Sequence, residues 1–125
     1  MAPLRNFNAQ AIIDQEINYT IVGGRFSPSA SIDLARQDVV LSVAGDDAFL
    51  LSVSAGSFRK TELGGYAASA KRSLSKTDIL LQPFSHGDWA YSVGIEGFKP
   101  GSAPVTVSLM IGSQDGSAIV KGYLF

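Results

Sequence analysis

The chain predicts an all-β domain, an antiparallel β-sandwich of seven to nine strands with Greek-key connections. Three observations carry that expectation. Segments that alternate apolar and polar residues recur at roughly ten-residue spacing, the signature of strands with one wet face. Turn-forming residues punctuate them, with 13 Gly and 16 Ser in 125 residues. No segment shows a sustained helical period. The length suits one domain, taken as residues 1–125, because domains cluster at roughly 100–150 residues. A composition of 46% hydrophobic and 17% charged residues is too apolar for a disordered chain.

The elements follow in order. Phe7, Ala9, Ala11 and Ile13 alternate, so residues 1–14 read as an edge strand or a flexible N-terminal segment. Residues 16–22 form the next strand, with Ile17, Tyr19 and Ile21 assigned to the core, and Gly23-Gly24 breaks or bulges it. Residues 27–38 are a long connection, in which Asp33 is placed to cap a single helical turn over 31–36. A hairpin follows: strand 39–44, the turn Gly45-Asp46-Asp47, and a return over 48–54. Residues 57–60 are extended, whereas 67–72 have a helix-favouring composition. Strand 78–84 carries Pro83, which marks an edge or a strand end.

After the turn 85–88, Trp89, Tyr91, Val93 and Ile95 share one face of a strand, the pattern of a core face. Residues 98–103 form a second crossing. Val105, Val107, Leu109 and Ile111 alternate again, 112–116 turn, and 117–124 close the domain. The expected core is Ile17, Tyr19, Ile21, Val39, Leu41, Val43, Leu50, Phe58, Leu80, Trp89, Tyr91, Val93, Val105, Val107, Leu109, Ile111 and Ile119. Residues 41–47 and 109–115 echo each other as strand, Gly and turn Asp; duplication and recurrent hairpin chemistry both account for that.

The chemistry is sparse. No Cys and a single His exclude thiol catalysis and disulfides, and leave ordinary zinc and Fe–S sites without ligands. Asp46, Asp47 and Asp115 read first as turn formers. Loops converging at one end of the domain would be needed to assemble them into a calcium or acid–base site. His86 stands between Ser85 and Asp88 in one tight turn, but catalytic triads are assembled from separated positions, so an exposed turn residue is the better reading. No glycine loop has phosphate-binding spacing. Arg59, Lys60, Lys71, Arg72 and Lys76 form a basic stretch that reads as guarded strand edges rather than a nucleic-acid surface, given the net charge of −1. No apolar run is long enough to span a bilayer, and no apolar stretch follows Arg5 to make a signal peptide.

Three segments carry a resemblance. Val39-x-Leu41-x-Val43-x-Gly45, Ser54-Ala55-Gly56-Ser57-Phe58 and residues 104–116 together resemble an uncharacterised immunoglobulin-like domain that recurs in exported bacterial proteins. The likeness spans about residues 17–124, with Ser54 standing where that domain usually has Pro. The resemblance implies an immunoglobulin-like fold, an extracellular or periplasmic setting and no assigned reaction.

The resulting expectation is a non-catalytic accessory or protein-interaction module of a bacterial surface or secreted protein, with no cofactor, no metal, no nucleic acid and no membrane insertion. The alternative is a carbohydrate-binding module that stacks polysaccharide on exposed aromatics, with Tyr66, Phe84 and Trp89 as ligand-binding candidates. The closing strand over 117–124, which carries only Lys121, is the least protected edge. It is expected to be covered by residues 7–13 or to pair with a second copy as a homodimer.

Overall fold

The computed structural model describes residues 2–14, 16, 18–72, 75–98, 100, 101, 104–120, 123 and 124, without the side chains of Lys71, Arg72, Ser75, Ser85, Tyr123 and Leu124. The described residues form twelve strands and one three-residue 3-10 turn, Ser85–Gly87, with no α-helix. The all-β expectation therefore holds, with more and shorter strands than the alternation suggested.

In chain order the strands are β1 (Ala2–Arg5), β2 (Gln10–Asp14), β3 (Tyr19–Pro28), β4 (Val39–Ala44), β5 (Ala48–Val53), β6 (Arg59–Lys60), β7 (Tyr66–Arg72), β8 (Ser75–Pro83), β9 (Trp89–Glu96), β10 (Thr106–Ile111), β11 (Gln114–Ile119) and β12 (Tyr123–Leu124). They hydrogen-bond as one curled sheet in the order β5-β4-β10-β11-β1-β3-β9-β8-β7-β6, with β2 and β12 branching from β3. The sheet is mixed. Most neighbours are antiparallel, but β1 runs parallel to β11 and β12 runs parallel to β2.

The sheet has two arms, β5-β4-β10-β11 and β6-β7-β8-β9-β3-β2, and β1 links them. Its Ala2 and Pro3 pair with Gln114 and Asp115, while Leu4 and Arg5 pair with Pro28 and Ser27. Both arms bury one face in a shared core. Leu41, Val43, Val107, Leu109 and Ile111 come from the first arm, and Val22, Phe26, Ile79, Leu81 and Val93 from the second. The connection 29–38 and the segment from Gly97 to β10 each carry the chain from the second arm to the first.

The register corrects several core assignments. On β3 the inward residues are Thr20, Val22 and Phe26, so Tyr19 is only half-buried and Ile21 is 38% exposed. Thr20 tolerates full burial because its hydroxyl donates to the Phe98 carbonyl at 2.7 Å. Ile17 lies outside the described residues. The β4–β5 hairpin pairs Leu41 with Leu51 and Val43 with Phe49, which puts Leu50 outward beside Ser42 at 54% exposure. Leu80 faces outward between the buried Ile79 and Leu81, and Ile119 faces outward opposite Thr106. Phe58 is half-buried against the core.

Residues 67–72 are strand rather than helix: Ala67, Ala68 and Ala70 are small enough to pack flat beside β8, whose ladder overrides their weak helical preference. The segment around Asp33 forms a tight turn, closed by the Arg36 N–H to the Asp33 carbonyl and the Ala35 N–H to its carboxylate, and not a helix. Pro83 ends β8, which is an interior strand.

The N-terminal segment covers part of the stretch 117–124. That stretch splits into the end of β11 and the separate β12; Tyr123 and Leu124 pair with Ala11 and Ile12, whereas β1 pairs with β11 only ahead of it, at Gln114 and Asp115. Between the two N-terminal strands Phe7 stacks on Tyr91 at 5.1 Å, and the Tyr91 hydroxyl donates to the Asn8 carbonyl at 2.7 Å. Gln114, fully buried, anchors the start of the crossing: its Oε1 accepts from the N–H groups of Ser29 and Ala30, and its Nε2 donates to the Ala30 carbonyl.

Candidate functional site

The aromatic candidates do not gather into one platform. Tyr66 opens β7 and Trp89 opens β9, both on the inward face, where their rings stack at 6.0 Å with planes 22° apart. Both are half-buried against the end of the core. Trp89 also borders an open cleft of about 540 Å³ between Gly87 and the 28–32 loop. Phe84 is 44% exposed and carries the Arg25 guanidinium 4.9 Å above its ring, a cation–π contact. Arg25 lies outward on β3, since its neighbour Phe26 is buried. Tyr66 and Trp89 thus belong to the rim of the core, and Phe84 to the opposite face of the sheet.

The carboxylate candidates are also separated. Asp46 and Asp47 form the β4–β5 turn, where the Gly45 N–H donates to the Asp47 carbonyl and the Asp46 N–H to the Pro100 carbonyl. Asp115 pairs with Met110 near the far end of β10, whereas Ala44, beside the turn, pairs with Thr106 at its start. Three residues of β10, Val107 to Leu109, lie between those rows, so the two groups sit toward opposite ends of the first arm. Among the described residues no three His, Cys, Asp or Glu side chains cluster as metal ligands.

His86 is exposed, with a φ of 64° that lets the backbone reverse within the 3-10 turn. Asp88 is committed elsewhere: its carboxylate accepts from the Ser27 hydroxyl at 2.7 Å, and its carbonyl accepts from the Phe84 N–H at 2.6 Å. The side chain of Ser85 lies outside the description.

The basic residues divide similarly. Arg59 and Lys60 make up β6, the outermost strand of the second arm. Lys76 stands 4.0 Å from Asp78 on an exposed surface, a contact of small energetic weight. The side chains of Lys71 and Arg72 lie outside the description.

The feature that sequence reasoning missed is the outer side of β5. Among the described residues it is the one strand longer than two residues whose whole outer side pairs with nothing. Its sequence, Ala-Phe-Leu-Leu-Ser-Val, holds no charge and no Pro. Edge strands ordinarily carry such guards, because their free N–H and C=O groups are a template for another strand. The signal was present in the sequence as an uncharged six-residue strand, but choosing it required knowing that β1 pairs with β11 and β2 with β12. Comparison with known proteins finds no matching family model, no significantly matching curated protein and no significantly matching solved structure.

Proposed function

We propose that the chain is a non-catalytic interaction module of a bacterial surface or secreted protein, an immunoglobulin-like sandwich that binds by adding an extended segment of a partner protein to the outer side of β5. The open, uncharged edge of β5 is the observation that carries this reading. Added strands gain affinity from main-chain hydrogen bonds and specificity from alternate side chains. Leu50, exposed on that strand, supplies an apolar contact for such a segment. The sandwich description is supported by two arms that bury facing residues in one core and by connections that cross between them. The extracellular or periplasmic setting rests on the resemblance of residues 17–124.

The test is selection of binding peptides from a displayed random library, followed by amide chemical-shift mapping on the whole chain. Peptides of alternating apolar residues are expected, with shifts centred on residues 48–53 and binding weakened about tenfold or more by Leu50→Lys, which places a guarding charge on the edge. Peptides that map elsewhere, or binding indifferent to Leu50→Lys, overturn the reading. A Trp89 emission that shifts on adding polysaccharide supports the carbohydrate alternative instead, since Trp89 is the sole Trp and borders the cleft.

A further inference from the structure

We infer that the segment accepted by β5 is β5 of a second copy of this chain, giving a two-fold symmetric dimer with one sheet running continuously through both subunits. The inference rests on the open-edge reading above and names its partner.

Antiparallel pairing of identical strands about a two-fold axis keeps the two outward faces on the same side of the joined sheet, with one residue facing its own counterpart. With the axis at Leu50, Leu50 faces Leu50, Ala48 faces Ser52, and Phe49 faces Leu51. The outward row then joins the most exposed apolar residue of the strand to itself, and the inward row extends a wall already built from Leu51 and the half-buried Phe49. All of these pairs are uncharged. Apolar cross-strand pairs of this kind each contribute to sheet stability.

Charge placement selects the antiparallel arrangement. In that register Asp47 of one copy falls opposite Val53 of the other, and Asp46 opposite Ser54, so the two acidic turns sit at opposite ends of the joined strands. A parallel pairing would set the two acidic turns side by side and cost repulsion. Away from the edge, the outward residues of β4 and β10 are Val40, Ser42, Ala44, Thr106, Ser108 and Met110, again without charge. No residue of β5, β4 or β10 is charged, whereas β6 at the edge of the second arm consists of Arg59 and Lys60. Two-fold pairing also occupies both open edges at once, so the assembly closes at two copies instead of growing.

Sedimentation over a dilution series tests this directly. The full chain is expected to reach twice its 13.2 kDa mass at high concentration. Leu50→Lys is expected to weaken dimerisation about tenfold or more with an unchanged far-UV spectrum, because Leu50 is exposed in the subunit. Because the chain has no Cys, Leu50→Cys offers a second readout. On mild oxidation it should form a covalent dimer faster than Ile119→Cys, which is at least as exposed but lies on β11, with β4 and β10 between it and β5. A monomer at every concentration, a dimer indifferent to Leu50→Lys, or equal crosslinking at the two sites overturns the inference. If the chain stays monomeric while selected peptides still map to β5, the dimer is refuted and the strand-addition reading stands.

Discussion

The phenol of Tyr19 lies over Gly94 on the neighbouring strand, so that a side-chain carbon at position 94 would occupy the space of its hydroxyl. Tyr19 is half-buried because this glycine gives its ring a seat on the outward face of the second arm. Gly94→Ala is therefore expected to displace Tyr19 and cost about 1–3 kcal/mol, the usual price of overpacking. Urea denaturation measures it. The double variant with Tyr19→Ala should cost less than the two single changes added together, because the clash needs both partners.

Leu41 and Leu50 test the register of the first hairpin. Leu41 is fully buried, and Leu41→Ala is expected to cost about 2–5 kcal/mol. Leu50→Ala, at an exposed position, should change the stability of the subunit by only about 0.5 kcal/mol. Thermal unfolding at a concentration that keeps the chain monomeric compares them. Equal losses would mean that β5 is paired one residue out of step.

Gln114 should be among the most sensitive polar positions. Gln114→Ala leaves the part-buried N–H groups of Ser29 and Ala30 and the Ala30 carbonyl without their side-chain partners and removes a buried side chain, and a loss of about 1–3 kcal/mol is expected. Chemical denaturation gives the number, and faster amide exchange at Ser29 and Ala30 identifies the cause.

Tyr91 gives the fold an alkaline limit. Burial raises its hydroxyl pKa well above the ordinary 10. The unfolded chain therefore releases this proton at a lower pH than the folded chain does. The contribution of the neutral phenol is fully present below about pH 10 and is lost as pH rises from there toward the raised folded value. Tyr91→Phe removes this dependence. It also removes the bond to the Asn8 carbonyl and should cost about 1 kcal/mol at neutral pH. Urea midpoints of both proteins from pH 8 upward should converge as the wild type loses its advantage.

The alternation at Val39, Leu41 and Val43 and at Tyr91, Val93 and Ile95 made the strands and their buried faces legible, because each inward residue there is large and apolar and, Val40 apart, the residues between them are Ser or Gly. The same rule misassigned β3. Its inward row contains Thr20, satisfied by a carbonyl from a distant loop, and Gly24, where Asn8 crosses close to the backbone; its outward row contains Tyr19 and Ile21. On β5 the run Phe49-Leu50-Leu51 has no polar member, so only pairing with β4 decides which of them points inward. The strand β1 was not legible at all. It is four residues long, contains Pro3, and owes its conformation to partners distant in sequence, at residues 27–28 and 114–115. The candidate site followed the same division. The composition of β5 was readable, but its being open depends on which other edges those late partners cover.

The link made by β1 has a consequence for biosynthesis. Ala2 and Pro3 leave the ribosome more than a hundred residues ahead of their partners Gln114 and Asp115. The second arm can assemble its β7–β8–β9 meander as soon as residue 96 is free, but the ladder that ties the two arms together cannot form until synthesis of this stretch is almost over. Until then the N-terminal segment is an unpaired tether, and the side of β11 that it will flank does not yet exist. A nascent chain stalled before residue 114 should therefore hold one finished arm and one open one, and be cleaved around residues 2–3 by proteases that do not cut there once β1 has paired with β11.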